Sequence, residues 1–365
     1  MKLSVLDQSP IVSGASARDA ILATIDLAVA SERLGYQRYW LAEHHGLPGL
    51  ADPCPEILLA RIAAATSTLR VGTGGIMLPY YSPFKVAEVF RMLETLYPGR
   101  VDLGVGRAPG GDFRTAQAMT GGAYRGAPEF ADQIQEVIGY MSDSLPDAHP
   151  YRDVLVQPAC DTMPEFWMLG SSDYGGALAA ALGLHFAFAH FINAQGGDVV
   201  ARSYRAQFRA SAALQQPNSM VAVFVICAET DAEAERLAAP IDLRRLQMEQ
   251  GINAPIASTE EALAHRYTDA ERARIRHHRL RAIIGSQSTV REQLQALLER
   301  YEADEATVVT ITGDYASRLR SYELLADACG LAANGSANGG TINGGTATIN
   351  GGTTDIATAN SGTSV

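Results

Sequence analysis

Lysine is almost missing from this chain: of 29 basic residues only Lys2 and Lys85 are lysine, and 40 Asp and Glu leave a formal charge of −11. That balance excludes the basic face of a nucleic-acid binder and disfavours an anionic membrane surface as partner. The lysine scarcity, beside abundant alanine and glycine, reads as the coding bias of a GC-rich genome. Cysteine is also sparse. Cys54, Cys160, Cys227 and Cys329 stand far apart without a CxxC pair, which points to reduced thiols in a cytoplasmic protein and excludes a disulfide scaffold. Long apolar runs are missing too. Asp7 interrupts MKLSVLDQSP too early for a signal-peptide core, and the uncharged stretch from Tyr174 to Gly197 holds His185, His190, Asn193, Gln195 and several glycines, which disqualify it as a membrane span. The remaining partner class is a small molecule.

What is present is a large apolar content, 47% of 365 residues, enough for a sizeable core. Short β-rich runs alternate with helical patterns: strands at 3–6, 38–42, 69–78, 101–106, 166–169, 185–189, 220–228 and 307–311, with helices such as 17–34, 55–65, 83–96 and 129–141 between them. Strand and helix in alternation predict an α/β protein with a parallel sheet, and eight strands predict a TIM (β/α)8 barrel. A doubly wound sheet would carry G-x-G-x-x-G after the first strand, where this chain reads DQSPIVSG. Ser16-Ala-Arg-Asp19 is a capping signature for the first helix. Residues 231–283 are charge-dense and helical, an expected insertion between strands 7 and 8 that forms a lid or wall over the barrel mouth. Residues 1–330 thus form the barrel domain. From 331 to 365 the chain turns to Gly, Asn, Thr and Ala with Asp355 as its one charge, which predicts a disordered tail; a β-solenoid fragment is the competing reading.

Chemistry in such a barrel belongs at the C-terminal ends of the strands. Strand 2 ends in Trp40-Leu-Ala-Glu43-His44-His45, one carboxylate and two imidazoles at that rim. Neighbouring strand residues face opposite ways, so His44 and His45 do not share a metal, and no metal site is expected. Gly74-Gly75 weakens strand 3 unless something must approach the backbone closely; a flat ring or a plain bulge would each explain it. Arg107 follows strand 4 beside a glycine-rich loop. Met168-Leu-Gly170-Ser171-Ser172 ends strand 5 at a helix start, so hydroxyls and free amides sit near the Arg107 guanidinium and describe one phosphate pocket.

Taken in order, AEHH, VGTGGIMLP, LYPGRVDLGVGRAPGGDFR and MLGSS resemble the bacterial luciferase-like flavin monooxygenases, in their single-chain oxidoreductase branch, from residue 3 to about 328. The resemblance implies a barrel that takes reduced FMN from a separate reductase, forms a flavin C4a-hydroperoxide with O2, and oxygenates a small organic substrate such as one of secondary metabolism. It also leaves two alternatives, an F420-dependent oxidoreductase and a non-catalytic flavin-binding subunit. By the same comparison Gly74-Gly75 is a cis peptide supporting the flavin ring, and Arg107 and Ser171 bind the phosphate. His44 is the acid/base, and Glu43 lies beside the flavin. Departures stand at Gly170 for a glutamate, Gly106 for a reactive cysteine and His190 for a pocket tryptophan, so the substrate does not carry over. The family also implies a homodimer through the helices after strands 2 and 3.

Overall fold

The structure, a computed structural model, describes residues 1–107, 110–124 and 129–332. The expected tail and Arg125, a further phosphate candidate, lie outside or mostly outside these residues. Strands β1 (Leu3–Asp7), β2 (Arg38–Leu41), β3 (Arg70–Thr73), β4 (Ile76–Met77) and β5 (Val101–Gly106) alternate with helices α1 (Ala17–Arg33), α2 (Pro55–Ala65) and α3 (Pro83–Leu96). Next come α4 (Phe113–Met119), α5 (Phe130–Met141), β6 (Glu165–Gly170), α6 (Asp173–Leu182), β7 (His185–Ala189) and α7 (Gly197–Gln207). The last part holds β8 (Ser219–Ala228), α8 (Asp231–Glu249), α9 (Thr259–Ala264), α10 (Asp269–Arg279), β9 (Ala282–Ser286), α11 (Gln287–Tyr301), β10 (Glu305–Val309) and α12 (Tyr315–Ala328).

All pairings between these strands are parallel, and β10 pairs with both β1 and β8, so the sheet closes into a barrel of eight staves with β3 and β4 sharing one. This is the TIM barrel expected from the alternation. Helix α1 starts where the sequence said, with Ser16 and Asp19 bonding each other's backbone amides. Beyond shifts of one or two residues at element ends, such as β10 at Glu305–Val309 where 307–311 was expected, two boundaries differ from expectation. The strand read as 69–78 is broken at Gly74-Gly75 into β3 and β4. The insertion after β8 is helical only to Arg279, because Ala282–Ser286 forms β9, which pairs along the second half of the long β8. Helix α11 then packs against β8, β9 and β10 as the barrel's own helix.

Two apolar layers form the core. Leu27, Leu59, Phe90, Val105, Val223 and Leu325 belong to one between strands and outer helices; Leu6, Trp40, Trp167, Ala187 and Met220 belong to another inside the barrel. Beneath Trp40 the interior is ionic. Arg38 reaches Asp102 at 2.9 Å, Glu165 at 2.7 Å and Glu305 at 3.2 Å, and Arg70 reaches Asp102 at 2.5 Å. Arg38 starts β2 while its three partners lie on β5, β6 and β10, none of them paired with β2, so its contacts cross the interior and seal the N-terminal end. The open end is therefore the C-terminal one, where Arg318 and the buried Asp7, 2.6 Å apart, tie α12 to the end of β1.

Candidate active site

At that end a cavity opens between the tips of β4, β5, β6 and β7. Its floor is apolar, with Leu6, Trp40, Met77 and Met168 beside Gly74 and Gly75, and the Gly74–Gly75 peptide is cis. The backbone there is crowded: a Cβ on Gly75 would stand 2.7 Å from the Gly104 carbonyl oxygen of β5. One corner gathers donor groups. The exposed Arg107 guanidinium lies 4.4 Å from the Tyr174 ring centre, at the start of α6. Ser172 is the N-cap of α6 and its hydroxyl makes no capping bond, while Gly170 and Gly175 pack so closely that a Cβ on either would touch the other at 3.4 Å. Free amides, a free hydroxyl and a guanidinium together suit a phosphate.

The structure thus gathers Gly74, Gly75, Arg107, Met168, Gly170, Ser171 and Ser172 around one cavity. It places Glu43, His44 and His190 elsewhere. Glu43 is 1% exposed; its carboxylate accepts from the Met77 amide at 2.9 Å and the Tyr81 hydroxyl at 2.8 Å, and meets His45 Nε2 at 2.7 Å. It therefore pins the segment that follows Gly74-Gly75. His190 is buried behind the wall: Nδ1 meets the Tyr301 hydroxyl at 2.8 Å and Nε2 the Leu280 carbonyl at 3.2 Å. The next residues, Phe191 and Ile192, line the cavity instead. Sequence reasoning missed these two, as well as Trp40 and Tyr174. Tyr174 could have been found as the first-turn neighbour of Ser172.

His44 lines a second cavity that shares Phe191 and Ile192 with the first. Helix α8 contributes Ile241, Arg244, Arg245 and Met248 to its wall, so the insertion does close over the mouth. Burial, reinforced by the Arg244 guanidinium, pushes the His44 imidazole down to about 4, and its Nδ1 has no partner among the described residues. His44 is accordingly neutral near pH 7, with a free hydrogen-bond acceptor and no imidazolium charge.

Asp52, just after this rim, is 5% exposed with one carboxyl oxygen unpartnered, and burial raises it to about 7. A carboxyl raised in the folded state keeps a proton that the unfolded chain gives up above about 4, so its penalty grows as pH rises to 7 and stays full above. Asp52→Asn escapes that penalty. Relative to wild type it is expected to gain up to about 4 kcal/mol between pH 4 and pH 8, on roughly 1.4 kcal/mol per pKa unit; denaturant melts at both pH values check this, and an equal difference at both would refute it.

A model of the family described as luciferase-like monooxygenase matches residues 1–305. The chain belongs to the luciferase-like monooxygenase family. Like other luciferase-like monooxygenases it is an oxidoreductase. It is 46% identical to protein YceB of Bacillus subtilis over 89% of this chain and 98% of that one. It is 34% identical to the N-acetyl-S-alkylcysteine monooxygenase of the same organism over 90% and 98%. Among solved structures, apo-MsnO8 matches with TM-score 0.84 and 38% identity over 91% of this chain and 99% of that one. The fold is shared by an oxygenating constituent of 3,6-diketocamphane monooxygenase from Pseudomonas putida in complex with FMN, TM-score 0.68 at 21% identity over 90% and 98%. It is shared also by an F420-dependent secondary alcohol dehydrogenase, TM-score 0.63 at 12% identity over 90% and 98%.

Proposed function

We propose that this luciferase-like enzyme is an FMNH2-dependent monooxygenase that uses O2 to oxygenate a small organic substrate. The observation that carries the reading is a single cavity with an apolar floor at Gly74-Gly75 and an anion corner at Arg107 and α6. The residues present fit the cofactor. Gly74, Gly75, Met77 and Met168 would line its ring, and Arg107, Ser171, Ser172 and the α6 amides would hold its phosphate. Reduced FMN, delivered by a separate reductase, supplies when bound the electrons for O2 chemistry. Glu43 orients the backbone under that ring through Met77. Leu6, Met168 and Phe191 keep water from the floor. His44, neutral with Nδ1 unpartnered, offers a hydrogen-bond acceptor that would orient a bound donor.

Anaerobic titration of the protein with reduced FMN, reduced riboflavin and reduced F420 tests the reading. FMN is expected to bind at least tenfold more tightly than riboflavin, about 1.4 kcal/mol, and Arg107→Ala to remove most of that difference. Preference for F420 over FMN would move the site to hydride transfer.

We also propose that the enzyme is a cytoplasmic homodimer. No helix among the described residues is long and apolar enough to cross a membrane. Ile57 is 69% exposed on α2, and Met92 and Leu96 are 51% and 56% exposed on α3, around a groove rimmed by Glu56, Lys85 and Glu88. Apolar side chains in a mixed-charge rim suit a two-fold self-contact. Sedimentation velocity is expected to give a dimer, and Ile57→Asp a monomer with the same far-UV spectrum; a monomeric wild type would refute this.

A further inference from the structure

Four arginines are buried among the described residues: Arg38, Arg91, Arg244 and Arg318. Three have their charge met. Arg38 has Asp102, Glu165 and Glu305; Arg91 has Asp143 and the carbonyls of Tyr140, Met141 and Val156; Arg318 has Asp7. Arg244 is 8% exposed and has no hydrogen-bond or ion-pair partner among the described residues. The side chain is buried but its nitrogens are not sealed off, so its charge is unmet by the described residues and reachable from the space it lines.

Its surroundings say where that charge would come from. Arg244 lines the second cavity with His44, Arg245 and Arg281. Arg245 spends Nη1 on the His278 carbonyl at 3.2 Å and packs 4.5 Å from the Phe224 ring centre, which leaves Nη2 buried and unpartnered. Arg281 spends one nitrogen on the Ile192 carbonyl at 3.1 Å. Among the described residues no Asp or Glu lines this cavity. The carboxylates of the insertion nearest to it are engaged elsewhere: Asp242 with Arg279 at 2.6 Å, and Glu249 with His278 at 2.8 Å and Arg274 at 3.0 Å. The rest of the wall is apolar, including Leu47, Leu50, Phe224 and Met248.

We propose that the second cavity is the substrate chamber and that the substrate is an organic acid, its carboxylate bound by Arg244 and Arg245 and its apolar body held against Phe191, Phe224 and Met248. This rests on the monooxygenase reading for calling the ligand a substrate, but the site itself is read from the arginines alone. Anchoring the acid there sets the apolar body against Phe191 and Ile192, the wall shared with the first cavity, and beside His44. A guanidinium pair suits a carboxylate because planar donors meet both oxygens.

The test is calorimetric titration of flavin-free protein with octanoate, octanol and octylamine, run beside FMN titration of the same samples. Octanoate is expected to bind at least tenfold more tightly than octanol, and octylamine not to bind. Arg244→Met and Arg245→Met should each lose tenfold or more of octanoate affinity, with FMN affinity unchanged. Arg244→Met should also keep or raise the melting temperature, because it removes an unpaired buried charge; a clear fall would make Arg244 structural and overturn the proposal. Octanoate and octanol binding alike, or octanoate binding that survives both substitutions, would overturn it too. Octanoate bound through both arginines in a protein that ignores FMN would uphold this site and sink the flavin reading.

Discussion

Arg38→Met is expected to lower the unfolding free energy by about 3–5 kcal/mol, the range for removing one partner of a buried ionic network. The guanidinium is the hub at the closed end of the barrel: it holds Asp102 at 2.9 Å, Glu165 at 2.7 Å and Glu305 at 3.2 Å, and stacks 4.9 Å from the Trp167 ring centre. Methionine restores volume but leaves three carboxylates facing one another with only Arg70 beside them, so the cost is uncompensated charge and not a cavity. The sign of the pH dependence follows. Burial alone would raise Glu165, but Arg38 and Arg70 outweigh it and hold its carboxyl below the usual range. A group lowered in the folded state contributes stability above its unfolded value, near 4.5, and loses it as pH falls through the folded value. The gap between wild type and variant should therefore be widest above pH 5 and narrow in acid. Urea melts at pH 7 and pH 4 measure it; a constant gap would mean that packing against Trp167, not charge, carries the effect.

The barrel was legible because its signals are local. Alternation of strand and helix, the Ser16–Asp19 cap and glycines at strand ends act within a few residues of where they are read. That Arg107 and Ser171-Ser172 would share one cavity was legible for the same reason, since they follow β5 and β6, which pair side by side. Strand β9 was hidden because it is short, follows the arginine-rich α10, and buries only Ile283 and Gly285 in alternation. His190 was misplaced because the chain turns just after Ala189, so alternation along β7 no longer says which way the ring points. Arg244 and Arg245 were invisible as site residues. In a charge-dense helix an arginine reads as a solvated face, and only the fold of α8 onto the mouth shows that Arg244 has no partner among the described residues and that Arg245 keeps Nη2 unpartnered.

Gly75→Ala is expected to abolish flavin binding or weaken it by well over tenfold, whereas Gly74→Ala should cost far less. The difference lies in what each added methyl would meet. At position 75 the nearest atoms are the Gly104 carbonyl oxygen at 2.7 Å, its carbon at 2.9 Å and the Val105 nitrogen at 3.1 Å, all backbone of β5. Backbone cannot rotate away, so β4 must part from β5 at the Ile76–Val105 pairing, two residues before Arg107. Both the floor and the anion corner would shift together. At position 74 the nearest atom is the Leu6 Cδ1 methyl at 2.5 Å, the end of a side chain that borders the cavity and can swing toward it, with Trp40 at 3.3 Å behind. Overpacking of this kind costs typically 1–3 kcal/mol, a loss the melting temperature of each variant would show. FMN titration of both variants, with melting temperature as the control for folding, decides the point. Equal loss at the two positions would mean that the floor recognises the ring by side-chain shape around Leu6 and Trp40 and not by the position of the strand behind it.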